Sequence, residues 1–171
     1  MLMHNLFFLH GLESSPNGTK AQLIRKKYPE CTIPELTPNI KERDEVLKQL
    51  ISEPSWIIGS SLGGLSALLF AMSNPELVKA MILLAPAVGF YDPDFFDEAE
   101  MKLIESTYIP NGIPTTIIAG EYDDVIPMSS IEDLIKRSPD KQIVSFIKVK
   151  DDHSLNQFPG ILMDCIVSMF F

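Results

Sequence analysis

Residues 57–69 read IIGSSLGGLSALL. An apolar run of strand length ends in a small, polar centre, and an apolar segment with helical spacing follows at once. Ser61 stands between Gly59 and Gly63 in the pattern G-x-S-x-G. Where a strand turns sharply into a helix, the residues two before and two after the serine crowd together, which favours glycine. The stretch therefore predicts a strand–turn–helix unit with Ser61 as a candidate nucleophile.

Two other interpretations of this turn are a structural glycine turn and a phosphate-binding loop. The sequence GSSLGG lacks the Lys-Ser/Thr pair of a P-loop, and the chain contains no G-x-G-x-x-G. The neighbouring Ser60 does not fit the nucleophile pattern, because Ile58 and Leu62 stand where glycines would be needed. Ser61 therefore remains the candidate, and Ser60 is interpreted as a small residue that fits the turn.

Strand-length and helix-length segments alternate along the chain. The predicted strands are near 5–9, 31–36, 55–59, 79–85, 115–119 and 143–149. The predicted helices are near 19–28, 41–52, 62–73, 97–107, 128–137 and 154–170. Several strand runs are apolar without alternation, as in strands buried on both faces. The pattern predicts an α/β fold: a mostly parallel sheet of about six strands, covered by helices on both faces as a three-layer sandwich.

Parallel strands place every loop that follows a strand at one edge of the sheet. His10, Ser61, residues 120–124 and residues 151–153 follow four different strands and are expected together at that edge. The third histidine, His4, precedes the first strand and belongs at the opposite edge.

A serine hydroxyl becomes a nucleophile when a base takes its proton and an acid orients that base. His153 is the preferred base, in a loop of the shared edge and at the start of the last helix. His10 is the competitor, although a histidine there is expected to brace its loop. Asp123 lies three residues past Gly120 and is the preferred acid, with Asp124 as the open alternative.

These residues resemble the alpha/beta-hydrolase superfamily along the whole chain. The matching segments are LHG at 9–11, GSSLG at 59–63, GEYDDVIP at 120–127 and DH at 152–153. The chain order Ser, Asp, His is also the order of that family. The opening loop HGLESSPNGTKA is similar to that of small, single-domain YqiA-like bacterial esterases.

The resemblance implies further features of the fold and the site. It implies catalytic roles for Ser61, Asp123 and His153, and an oxyanion hole made by the backbone N–H groups of Leu12 and Leu62. It implies the strand order 2-1-3-4-5-6, an alpha/beta-hydrolase fold without the first two strands and without a large lid.

Residues 87–112 form the longest insertion and could be a small lid; packing of a short crossover helix is the alternative interpretation. The expected substrate-binding residues come from this insertion and from the neighbouring loops. They are His10, Gly11, Ser14, Phe90, Tyr91, Phe95, Phe96 and Ile126.

Length and composition limit the class of protein. A chain of 171 residues suits one domain, here residues 1–171. The net charge of −9 disfavours nucleic acid as a partner. Two distant cysteines do not form a disulfide framework, and no apolar stretch reaches the ~20 residues of a membrane span. A cytoplasmic protein is expected, with no membrane association, metal or organic cofactor.

The sequence thus favours a serine hydrolase of small neutral carboxylic esters, acting through an acyl-enzyme on Ser61. Thioesterase, amidase and C–C hydrolase activities use the same three groups and stay open. A noncatalytic scaffold that binds a ligand or a protein is the alternative from another class.

Overall fold

The computed structural model describes residues 5–170, so the position expected for His4 lies outside the described residues. The strands of the described part are β1 Leu6–Leu9, β2 Ser55–Ser60, β3 Val78–Leu84, β4 Thr115–Gly120 and β5 Val144–Val149. The helices are α1 Thr19–Lys27, α2 Ile40–Leu50, α3 Leu62–Ser73, α4 Glu98–Glu105, α5 Met128–Arg137 and α6 Pro159–Phe170.

The strands form a parallel sheet in the order β1-β2-β3-β4-β5. Alternate side chains of each strand enter two separate apolar clusters, one on each face. Phe7 and Leu9 pack in the cluster with helices α2, α3 and α5, whereas Leu6 and Phe8 pack with α1 and α6. The three-layer α/β architecture predicted from the sequence is confirmed, while a single domain over residues 1–171 stays a prediction.

The predicted second strand, 31–36, is reduced to one bridge. Thr32 pairs with Phe7 of β1, at the edge where the order 2-1-3-4-5-6 places it. The N–H of Thr32 donates to the Leu6 carbonyl at 2.8 Å, and the N–H of Phe8 donates to the Thr32 carbonyl at 3.0 Å. Pro34 lacks an N–H, so the ladder cannot continue. The sheet of the described residues therefore has five strands and not six.

The last helix begins five residues later than predicted, at Pro159 and not at 154. Residues 151–158 instead form a loop held by two carboxylates. Asp151 accepts the N–H groups of Asp152 and Gln157, each at 2.8 Å. Asp152 accepts the N–H of Ser154 at 2.8 Å. His153 therefore lies in a structured loop and not at a helix start.

The insertion 87–112 is anchored to the rest of the fold. Its helix α4 begins at a capping box formed by Asp97 and Glu100. Phe96 and Ile104 are buried in the cluster that contains α3 and α5. The N–H of Ile109 donates to the Ser138 hydroxyl at 2.9 Å. Most of the insertion is therefore packed crossover structure, and only its first part borders the site.

Within residues 5–170, none of the helices combines the length and the apolar composition that crossing a membrane requires.

Candidate active site

The turn after β2 holds Ser61 in a strained backbone conformation, with φ 53° and ψ −115°. The Ser61 N–H donates to the Leu84 carbonyl at 2.8 Å, and this bond fixes the turn against β3. A Cβ atom at Gly63 would lie 2.0 Å from the Leu9 carbonyl oxygen, and one at Gly59 would lie 2.4 Å from the Gly63 carbonyl oxygen. The glycines in the sequence motif are therefore required by close backbone packing between β1, β2 and α3.

Three side chains from three loops form one hydrogen-bonded chain. Ser61 Oγ lies 2.9 Å from Nε2 of His153, and Nδ1 of His153 lies 2.8 Å from Oδ2 of Asp123. An ionised carboxylate only accepts hydrogen bonds, so Nδ1 carries the proton and donates it to Asp123. Nε2 is then left as the acceptor for the Ser61 hydroxyl. This arrangement can remove a proton from the hydroxyl and keep the ring oriented while it does so.

The Asp123 side chain is only 3% exposed and has its second oxygen occupied as well. Oδ1 accepts the N–H of Val125 at 2.9 Å and the N–H of Ile126 at 2.8 Å. Burial alone would raise the pKa of this carboxyl. The hydrogen bonds from His153, Ile126 and Val125 outweigh burial and hold the pKa below its ordinary value. The alternative acid, Asp124, is exposed and makes no side-chain hydrogen bond within residues 5–170.

The two backbone groups predicted for the oxyanion hole lie beside this serine. Leu62 is the first residue of α3, so its N–H is among those that a helix leaves unpaired. Gly11 is close enough that a Cβ atom there would lie 3.3 Å from the Ser61 Cβ. Leu12 follows Gly11, and both Leu12 and Leu62 line the cavity that contains Ser61. Their role as oxyanion donors stays a prediction.

Ser61 and His153 open into a cavity of about 520 Å³. Gly11, Ser14, Phe90 and Phe95 line this cavity, as the sequence predicts. Several lining residues were missed: Phe8, Thr19, Lys20, Ala87, Val125, Ser154 and Asn156. Thr19 and Lys20 begin α1, so their place at this edge could have been found from the helix boundary.

Four predicted substrate-binding residues do not line the catalytic cavity. Phe96 and Ile126 are buried in the core, because each is the apolar residue that anchors its loop to the cluster around α3. The Tyr91 hydroxyl instead donates to the Val88 carbonyl at 3.2 Å, within the insertion. His10 is 1% exposed and faces the interior.

Both ring nitrogens of His10 are engaged. The Leu36 N–H donates to Nε2 at 3.1 Å, so Nδ1 is protonated and donates to the Gly11 carbonyl at 2.9 Å. Burial is the main cause that lowers the pKa of His10; the Arg43 charge lowers it further, against opposing effects of Gly11 and Glu35. His10 therefore braces the loop beside Ser61 as a neutral ring.

Arg43 supports the same loop and was missed by the sequence analysis. It is 1% exposed, and burial lowers its pKa to about 10. Its guanidinium donates to the carbonyls of Thr37 at 2.5 Å and His10 at 2.9 Å. Within residues 5–170 it forms no ion pair. The signal was present, because Arg43 stands three residues after Ile40 and four before Leu47, on the buried stripe of α2.

Comparisons with known proteins agree with this fold. The model of an uncharacterised protein family, UPF0227, matches residues 5–168. Pheophytinase from the chloroplast of Arabidopsis thaliana is 46% identical over 54 residues, which span 29% of this chain and 11% of that protein. This chain therefore spans only a small part of the curated relative that it matches.

Solved structures show the same fold at low identity. The mouse alpha/beta hydrolase domain-containing protein 10 superposes with a TM-score of 0.76 at 21% identity, covering 96% of this chain and 88% of that one. A monoacylglycerol lipase from Paleococcus ferrophilus gives a TM-score of 0.75 at 14% identity, covering 95% and 92%. The family and structure matches confirm the resemblance to alpha/beta-hydrolases and to their small YqiA-like members.

Proposed function

The chain belongs to the UPF0227 family, and we propose that it is a serine hydrolase that cleaves small neutral carboxylic esters through an acyl-enzyme on Ser61. The observation that carries this proposal is the hydrogen-bonded chain from Ser61 through His153 to Asp123, at the mouth of a cavity. The strained backbone of Ser61 supports it, because strain of this kind persists where it positions a reactive group.

In the proposed reaction, Ser61 Oγ attacks the ester carbonyl carbon while its proton passes to Nε2 of His153. The tetrahedral intermediate collapses, the carbon–oxygen bond to the alcohol breaks, and His153 gives its proton to the leaving oxygen. Water then attacks the acyl-enzyme, His153 takes the proton of the water and returns it to Ser61, and the acid leaves. Asp123 keeps the imidazole oriented and stabilises its positive form throughout.

The preference for neutral substrates follows from the charges around the cavity. Glu13 and Asp92 contribute to its wall, and the chain carries a net charge of −9. Lys20 adds one positive charge to the wall, which is fewer than the two carboxylates contribute. A polyanionic substrate would be repelled, whereas an uncharged ester would not. We also propose a cytoplasmic location, in keeping with the buried, unpaired thiols of Cys31 and Cys165.

A panel of substrates distinguishes ester hydrolysis from the related thioesterase and amidase activities. Purified protein is assayed with p-nitrophenyl esters of short acids, acyl-coenzyme A thioesters and anilides. We expect ester hydrolysis to have the highest kcat/KM, and Ser61→Ala to reduce it about 10⁴-fold or more. Ser129→Ala is the matched control, since Ser129 is an exposed serine of α5 away from the cavity.

Other outcomes of the panel are equally decisive. Full activity in Ser61→Ala contradicts the proposal. A thioester or anilide preference that depends on Ser61 assigns one of the related activities. No turnover, with tight binding of an intact ester, favours the noncatalytic scaffold.

A further inference from the structure

A second, smaller cavity adjoins the catalytic one on the α1–α6 side of the sheet. It measures about 230 Å³ and shares Thr19, Lys20 and Asn156 with the wall of the catalytic cavity. The two cavities therefore lie side by side, with these three residues between them. The reaction proposed above does not use the second cavity.

The wall of the second cavity is mostly apolar. Its aliphatic residues come from α1, α6, strands β3 to β5 and the 151–158 loop; they are Leu23, Leu84, Ile118, Val149, Leu155, Ile161 and Leu162. Apart from Leu23 and Ile161, these residues are less than a tenth exposed. A cavity with such a wall binds aliphatic groups by removing their surface from water.

Polar side chains lie at two places in this wall: at the boundary between the cavities, and at the buried Asp151, whose carboxylate accepts the N–H groups of Asp152 and Gln157. The Lys20 ammonium donates to the Ser154 carbonyl and thereby ties α1 to the 151–158 loop. Thr19, Lys20 and Asn156 form the shared wall. An uncharged acyl chain carries no charge that would lose its hydration on crossing this boundary.

Both cavities have exposed residues at their rims: Phe95 in the catalytic cavity and Phe158 in the second cavity are each 43% exposed. What distinguishes the second cavity is its inner wall of buried aliphatic side chains. An ester substrate must release its alcohol early but keep its acyl group through the second half-reaction. The buried aliphatic wall of the second cavity therefore suits the retained acyl chain, and the catalytic cavity leaves the alcohol free to depart.

From these observations we infer that the cavity between α1 and α6 is the acyl subsite, and that it accepts an unbranched, saturated chain of medium length such as octanoyl. This inference rests on the proposed function and adds the substrate class to it. Each methylene group buried from water improves binding by up to about fourfold. The kcat/KM of p-nitrophenyl esters should therefore rise from acetate to octanoate.

Leu23→Trp tests the inference by filling the cavity from α1, where Leu23 is only half-buried. The measured quantity is the ratio of kcat/KM for the octanoate and acetate p-nitrophenyl esters. We expect the ratio to fall about tenfold or more in Leu23→Trp. Leu50→Trp, at an exposed leucine of α2 outside both cavities, should keep the wild-type ratio. Ile161→Trp fills the same cavity from α6 and replaces Leu23→Trp if circular dichroism shows that variant unfolded.

A parallel series separates the acyl chain from the alcohol. Octyl acetate carries the long chain on the alcohol, so its rate relative to ethyl acetate should not change in Leu23→Trp. A loss confined to octyl acetate overturns the assignment to the acyl group. An unchanged octanoate-to-acetate ratio in a folded filling variant, with a wild-type enzyme active on both esters, overturns the subsite alone. A wild-type protein that hydrolyses no ester in either series overturns the proposed function itself.

Discussion

Among single residues, Asp123 shows how local hydrogen bonds keep a buried carboxyl group ionised. Burial to 3% exposure favours the neutral carboxyl, yet two backbone N–H groups and the His153 ring favour the carboxylate, and the pKa falls below its ordinary value. A lowered acid pKa stabilises the fold above the unfolded-state pKa, and that stability is lost as the pH falls through the folded-state value. The carboxylate therefore stays charged, and able to orient His153, across the neutral range.

Asp123→Asn should separate orientation from folding. The amide oxygen can still accept the N–H groups of Val125 and Ile126, but the amide cannot hold the His153 ring as a carboxylate does. We expect kcat for ester hydrolysis to fall about 10³–10⁴-fold, while the protein stays folded with a modestly lower melting temperature, because the stabilising carboxylate charge is lost. Asp124→Asn is the matched control and should behave as the wild type. Equal losses in the two variants contradict the assignment of the acid.

His10 should make the stability of the protein depend on pH. Its pKa is lowered by burial, so the unfolded chain binds a proton that the folded chain does not. The free energy of unfolding should therefore decrease as the pH falls below about 6.5, by at most about 1.4 kcal/mol per pH unit. Urea denaturation at pH 7.5, 6.0 and 5.0 measures this slope. His10→Asn should flatten it, and identical slopes in the two proteins would rule out a neutral His10.

The sequence identifies residues that belong to a recognisable motif. It does not identify residues whose place depends on how the side chains pack in the folded chain. Ser61, Asp123 and His153 were identified by motif, loop position and chain order. Arg43 belongs to no motif, and its partners are backbone carbonyls, which any sequence offers. The loops of Phe96 and Ile126 border the substrate pocket, and the sequence therefore predicts both residues as part of it. In the structure, both side chains are instead buried in the hydrophobic core.

At the scale of elements, the turn from β2 into α3 depends on how closely three backbones approach. The sequence predicted this unit well, because apolar period and glycine spacing agree along 57–69. It predicted 31–36 less well, since Pro34 stops the ladder after the bridge at Thr32. It placed the last helix too early, because the side chains of Asp151 and Asp152 bind nearby N–H groups and stabilise a loop before Pro159.

Gly63→Ala should disrupt the contact between α3 and β1. The added methyl group would lie 2.0 Å from the Leu9 carbonyl oxygen, so the helix must move. We expect a loss of about 3 kcal/mol or more in the free energy of unfolding, or no folded protein. Gly160→Ala is the control in α6, with no atom within 4 Å of the added methyl, and should be neutral or slightly stabilising. Equal stability of the two variants would contradict the close packing at the turn.

At the scale of the whole molecule, the parallel sheet brings loops that are distant in sequence to one edge. The strand order was predictable from the family resemblance and from the rule that ligands bind where strand order reverses. The sequence does not show whether the insertion 87–112 is a lid or a packed crossover, because its aromatic residues are compatible with both. The buried Phe96 and Ile104 and the tie from Ile109 to Ser138 favour the packed crossover.

An anchored insertion should leave the rate insensitive to an oil–water interface. We expect hydrolysis of tributyrin to follow a hyperbolic dependence on concentration, with no jump where the substrate exceeds its solubility. The measurement is a pH-stat titration across the solubility limit. An abrupt rise in rate at that limit would indicate a lid that opens at the interface.

Covalent labelling shows directly whether Ser61 is the nucleophile that His153 and Asp123 activate. Wild-type protein is treated with a fluorophosphonate, and the modified peptide is mapped by mass spectrometry. We expect one adduct, on Ser61, and a much slower labelling rate in Asp123→Asn. Labelling of a different residue, or an unmodified Ser61 in folded wild-type protein, would contradict it.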